Sequence, residues 1–115
     1  MPVRQVSQAL TANQKGYNPI AGWQYEYAPF RGLCRIGART TGAAGNVKQA
    51  IFTGSQNIME RGPMQVGGTA GVTPSPLNTP FIEFVVDAGD RISMLIDEDA
   101  GATPTVDLYI AFDPV

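Results

Sequence analysis

The stretch Phe81-Ile82-Glu83-Phe84-Val85-Val86-Asp87-Ala88-Gly89-Asp90-Arg91-Ile92-Ser93-Met94-Leu95-Ile96 decides the fold class of this chain. Successive side chains of a strand point to opposite faces. Ile82, Phe84 and Val86 therefore share one face, and Glu83 turns the other way with Phe81 and Val85. Ile92, Met94 and Ile96 repeat the rhythm against Arg91, Ser93 and Asp97. Between the two runs, Asp87-Ala88-Gly89-Asp90 has the residues of a tight turn, with Asp90 placed to bond backbone N–H groups. The pair reads as an antiparallel hairpin. After a polar loop over 98–104, Val106, Leu108, Ile110 and Phe112 share a face opposed by Asp107, Tyr109 and Ala111, which predicts a third strand.

The same period of two extends upstream. Trp23, Tyr25 and Tyr27 alternate with Gln24 and Glu26, a pattern that suits a strand and would make a poor helical stripe. Pro29 ends or bends that run, and 33–39 continues as a strand with Cys34, Ile36 and Ala38 on one side. Residues 47–53 and 57–61 flank Gly54-Ser55-Gln56, which predicts a tight hairpin. The Gly-, Pro-, Thr- and Ser-rich segment 67–79 has no core-forming pattern and reads as a surface loop or a crossing between sheets. The polar stretch 3–15 reads as an edge strand or as an arm reaching onto a neighbour, with the arm preferred.

The chain has 115 residues, with 13 Gly and 9 Pro spread along it, so its elements are short. The expectation is one all-β domain over 1–115, an antiparallel β-sandwich of jelly-roll type with seven or eight strands; a barrel is the second choice. Charged residues make up 16% of the chain, against about 25% in an average globular protein, which suits a surface partly covered by other subunits. A net charge of -2 offers no general attraction for a phosphate backbone, so nucleic acid is not an expected partner. No window approaches the roughly 18 apolar residues of a membrane span, and the first residues lack the charged-then-apolar order of an export signal. These features predict a soluble protein made and used without a classical export signal, and a virion protein assembled in the host cytoplasm and released by lysis would look the same.

The sequence holds no histidine, which removes histidine-based triads, histidine metal sites and the commonest general base near neutral pH. The lone Cys34 cannot form an intrachain disulfide and sits among Leu33 and Ile36, where a thiol acts as a small buried hydrophobe. No phosphate-binding loop of the G-x-x-x-x-G-K type occurs. Asp97-Glu98-Asp99, with Asp87 and Asp90, is the one concentration of hard oxygen ligands. Its spacing does not match an EF-hand, and a solvated acidic loop is the plainer reading than calcium. Glu26, Glu83 and Asp107 are carboxylates from which a catalytic pair would be drawn, yet no spacing brings them together. No catalytic residue, cofactor or metal is expected.

Two groups raise the question of binding. Arg31, Arg35 and Arg39 have equal parity and would line one face of a strand, as a solvated face or as a contact with another subunit. Trp23, Tyr25 and Tyr27 would pack in the core, meet a subunit, or form a glycan-binding ladder.

The run Phe84-Val85-Val86-Asp87-Ala88-Gly89-Asp90-Arg91-Ile92 resembles the x-x-G-D hairpin of small jelly-roll proteins. The order of a polar N-terminal arm, Asn18-Pro19-Ile20-Ala21-Gly22, an aromatic strand, a Gly-Ser hairpin and this C-terminal hairpin is similar to that of head-decoration, cement and minor virion proteins of tailed bacteriophages. That resemblance spans most of the chain and carries no catalytic signature. It implies a homo-oligomer, often a trimer, that binds a shell of major capsid protein and bridges its subunits. Arg31, Arg35 and Arg39, the N-terminal arm, and Thr73, Pro74 and Pro76 of the long loop are the expected contacts. A carbohydrate- or receptor-binding sandwich using Trp23, Tyr25 or Tyr27 is the alternative.

Overall fold

The computed structural model describes residues 3–114 apart from 44, 55, 69, 70, 72 and 75–80. Seven strands and no helix are found among these: β1 (Val3–Ala9), β2 (Gly32–Thr40), β3 (Val47–Thr53), β4 (Gln56–Pro63), β5 (Ile82–Val86), β6 (Ile92–Glu98) and β7 (Thr105–Pro114). All ladders are antiparallel. They form a four-stranded sheet in the order β1-β7-β2-β5 and a three-stranded sheet in the order β4-β3-β6.

The alternation read from the sequence supplies the core between the two sheets. From the first sheet come Cys34, Ile36, Phe84, Val86 and the β7 row Val106, Leu108, Ile110 and Phe112. From the second come Val47, Ile51, Ile92, Met94 and Ile96. Fully burying one such aliphatic or aromatic side chain contributes roughly 1.5–3 kcal/mol before the entropy of ordering is subtracted. The β7 row is thus the largest contribution from one strand. β7 lies between β1 and β2, and its opposite face is covered as well, where Asp107 and Ala111 are 1% exposed.

Two expectations are corrected. β5 and β6 do not form a hairpin: β5 pairs with β2, and β6 pairs with β3 in the other sheet. The turn itself is as expected, closed by a hydrogen bond from the Asp90 N–H to the Asp87 carbonyl, with Gly89 at φ +87°. It carries the chain around a corner of the sandwich. Phe84 and Val86 meet Ile92, Met94 and Ile96 from opposite sides of the core, where a hairpin would have set them side by side.

The aromatic run 23–27 is not a strand either. Asn18 Oδ1 accepts the Ile20 N–H, Trp23 N–H bonds the Ile20 carbonyl and Glu26 N–H bonds the Trp23 carbonyl. These bonds fold the segment into successive turns, with Gly22 at φ +83°. Local turn bonds have won over β propensity here. Ile20 is driven fully into the core, while the backbone of 14–28 lies along the outer edge of β6. Glu98 N–H bonds the Gln14 carbonyl, Tyr17 and Ile96 exchange bonds of 3.0 and 2.8 Å, and Ile92 N–H bonds the Glu26 carbonyl. The residues Val3–Ala9 pair with β7 along their whole length, from Val3↔Ala111 to Ala9↔Thr105, as an edge strand.

Two glycines permit close approaches that shape the sheet. A Cβ on Gly32 would stand 2.6 Å from the Phe112 ring, and one on Gly37 would stand 2.2 Å from Phe81 Cε1. The first vacancy lets Phe112 fill the end of the core. The second lets Phe81 lie on the outer face of β2, with its ring 5.7 Å from that of Tyr109.

Candidate functional site

The acidic run is the most organised polar region. On β6, residues of the parity of Ile92, Met94 and Ile96 face the core, so Glu98 is buried and Asp97 turns outward. Lys48 lies opposite Asp97 on β3, and Arg61 reaches across from β4. Arg61 Nε donates to Asp97 Oδ2 at 2.9 Å, while its Nη2 donates to Asp99 Oδ2. Lys48 stands 3.2 Å from Asp99, and Lys15, from the segment along β6, bonds Asp99 directly. Asp99 is held well below the usual carboxylate range, by Lys15 foremost and then by Lys48 and Arg61. Burial acts to raise the Asp97 carboxyl, but the Gly16 N–H and Arg61 together bring it below its ordinary value. The acids therefore face cations rather than one another. Among the described residues, no group of three or more acidic, histidine or cysteine side chains could hold a metal ion.

Glu98 does different work. Its Oε1 accepts backbone N–H groups from Ala100, Gly101 and Ala102 at 2.9, 2.6 and 3.2 Å, and from Asn13 at 3.3 Å. One carboxyl thus shapes the loop into β7 and ties Asn13 to it, while the Glu98 backbone carbonyl accepts Lys15 Nζ at 2.9 Å. The sequence reading grouped Glu98 with its exposed neighbours, although its parity with Ile96 already marked it as inward-facing.

The arginines share parity but not environment. Arg31, just before β2, lies 3.4 Å from Asp87, with both side chains mostly exposed. Arg35 is 3.9 Å from Asp113. Arg39 is folded under the chain that follows β4: its Nη2 donates to the Val66 carbonyl at 3.0 Å, and Gly68 N–H bonds the Thr40 carbonyl beside it. That covering chain also buries Asp107, whose Oδ1 accepts the Gly71 N–H at 3.2 Å. Of the expected loop contacts, Thr73 is half-buried and Pro74 buried, and Pro76 lies outside the described residues.

The aromatic residues do not form a ladder. Trp23 meets Tyr25 edge-on at 5.3 Å, and Tyr25 packs on Phe112 at 5.7 Å with Phe30 stacked on the same ring at 5.3 Å. Trp23 and Tyr25 therefore extend the core. Tyr27 is separate and 60% exposed, with the Arg91 guanidinium 5.9 Å above its ring. Arg91 also pairs with Glu26 at 2.7 Å. The Glu26 carboxyl is lowered first by the Gly22 N–H and then by Arg91. Cys34 is fully buried, and burial pushes its thiol up to about 12, far from a reactive thiolate.

The carboxylates considered for catalysis sit apart in function: Glu26 pairs with Arg91, Glu83 lies opposite Arg35, and Asp107 lies opposite Arg39. A cleft of about 150 Å³ opens between the sheets, lined by Ile36, Ala38, Gln49, Pro63, Gln65 and Ile82. No lining side chain titrates. Gln49 is 7% exposed, and among the described residues its Oε1 has no hydrogen-bond partner. Sequence reading missed this residue, whose only signal was a polar side chain at an inward position between Val47 and Ile51.

Among the described residues, no helix is long and apolar enough to cross a membrane. No protein-family model, curated protein or solved structure matches the chain.

Proposed function

We propose that this chain is a structural subunit of a virion shell, a cement, decoration or minor capsid component, acting through contacts with neighbouring subunits. The observation that carries the reading is where its polar chemistry goes. The acidic and basic groups that cluster are engaged in holding the domain together, and the cleft between the sheets has no titratable lining. What remains for function is surface: a compact sandwich with low charge and one bare strand edge, at β1. Of the features that resemble phage decoration and cement proteins, the turn run Asn18-Pro19-Ile20-Ala21-Gly22 and the β3–β4 hairpin still support the reading, whereas the aromatic strand and the C-terminal hairpin do not. Binding the assembled shell more tightly than its free subunits would stabilise the shell by RT ln(1 + [L]/Kd) per site.

The test is sedimentation of the purified chain with empty shells built from the major capsid protein of the virus that the proposal assigns it to. The expected result is saturable co-sedimentation and a higher temperature of shell disruption. A chain that stays in the supernatant at every shell concentration refutes the proposal.

A further inference from the structure

We propose that β1 is the contact through which two copies of this chain associate, pairing edge to edge about a two-fold axis so that their four-stranded sheets become one of eight strands. A bare sheet edge is a template for another strand, and proteins guard such edges with charge, proline, bulges or covering chain. Three of the four edges here are guarded. The β6 edge is covered by the segment 14–28. β4 carries Glu60, Arg61 and Pro63, and its pairing with β3 is broken by register shifts. β5 has five residues with Glu83 among them. β1 has seven residues in unbroken register with β7 and contains no proline. Its one charge, Arg4, is turned back onto its own domain, where Nε donates to the Pro19 carbonyl at 2.9 Å.

The hydrogen-bonding parity of this edge is fixed. Leu10 N–H bonds the Pro104 carbonyl, which continues the β1–β7 ladder by one residue. Bonded and non-bonded pairs alternate in an antiparallel ladder, so Arg4, Val6 and Gln8 direct their backbone groups at β7. Val3, Gln5, Ser7 and Ala9 direct theirs away from it, and all four are exposed. Among the described residues, no backbone group of another residue bonds them from that side.

The sequence Val3-Arg4-Gln5-Val6-Ser7-Gln8-Ala9 is self-complementary in one register. With Val6 on the two-fold axis, Val3 faces Ala9, Arg4 faces Gln8, Gln5 faces Ser7 and Val6 faces its own copy. Apolar residues meet apolar residues, polar residues meet polar ones, and no like charges stand opposite, an arrangement that favours cross-strand pairing. The same register brings every outward odd-numbered residue into a bonded pair, giving about eight backbone hydrogen bonds across the axis.

The test is sedimentation velocity from about 1 μM to 1 mM, combined with amide hydrogen exchange. The native chain is expected at twice its 12.2 kDa mass, with the amides of Val3, Gln5, Ser7 and Ala9 protected. Ser7→Pro removes an outward N–H and leaves the β7 ladder whole, because that group does not serve it. The double substitution Gln5→Lys with Ser7→Lys sets lysines opposite each other and leaves the backbone unchanged. Both variants are expected at single mass, with fast exchange at the odd positions and retained protection at Val6. If proline also exposes the Val6 amide, the lysine pair decides. A native chain of single mass up to the highest concentration, or a dimer that survives the lysine pair, overturns the proposal. Shell binding is a separate readout: binding without dimers sinks this inference alone, and dimers without binding sink the preceding one alone.

Discussion

Replacing Glu98 with alanine tests whether one buried carboxyl organises the end of β6. The side chain is 0% exposed, and its Oε1 is the acceptor for two close backbone N–H groups, at 2.9 and 2.6 Å, and two longer ones, at 3.2 and 3.3 Å. Leaving a backbone N–H without its acceptor costs about 1–3 kcal/mol where water cannot replace it, so the two close bonds set a scale of about 2–6 kcal/mol. Ala100, Gly101 and Ala102 are exposed, and water replaces part of what they lose, which places Glu98→Ala near the lower end, about 3 kcal/mol. At a urea slope of about 2 kcal/mol/M, the unfolding midpoint falls by about 1.5 M. Glu98→Gln keeps an acceptor and is expected to lose less, about 1–2 kcal/mol. The assay is equilibrium urea unfolding followed by far-ultraviolet circular dichroism. An alanine variant with the native midpoint refutes the reasoning, as does a glutamine variant weaker than the alanine one.

Gly37→Ala is expected to cost about 1–3 kcal/mol by overpacking, since the added carbon would meet Phe81 at 2.2 Å. Thermal unfolding of Gly37→Ala and of Gly37→Ala with Phe81→Ala checks this, and a double variant no more stable than expected from simple addition counts against it. Acid is expected to destabilise the domain through Asp97, Asp99 and Glu26, whose carboxyls all lie below their ordinary values of 3.8, 3.8 and 4.5 in the folded chain. A depressed folded value means stability that is present above the unfolded value and lost as pH falls through the folded one. The melting temperature should be level above about pH 5 and fall steadily below about pH 4. Asp99→Asn should flatten that fall, and a native profile unchanged down to about pH 2.5 would contradict the ion-pair hub.

The period of two identified which residues are buried and, with them, the two-sheet class. Ile82, Phe84, Val86, Ile92, Met94 and Ile96 alternate as they would in a hairpin, yet alternation records only that a face is apolar and not which sheet owns it. A corner between sheets and a turn within one sheet leave the same pattern. Trp23, Tyr25 and Tyr27 misled for another reason: Asn18-Pro19 and Ala21-Gly22, turn signals immediately upstream, outweigh the aromatic alternation once Ile20 has a core to enter. The acidic run was visible, but its partners Lys15, Lys48 and Arg61 come from three distant segments, and only the folded register unites them. Glu98 was legible in principle, because it continues the inward row begun by Ile92.

The order in which the strands are made has a consequence for how this domain reaches its native state. β7 occupies an interior position in the four-stranded sheet and is the last of the seven strands to leave the ribosome. Until it emerges, β1 and β2 have no common neighbour and that half of the sandwich has no centre. Long-range pairing of this kind is slow and leaves apolar strands exposed in the meantime. Acquisition of structure in that sheet is therefore postponed until β7 has been made, and a nascent chain stalled before Thr105 would be a target for chaperones rather than a half-built domain.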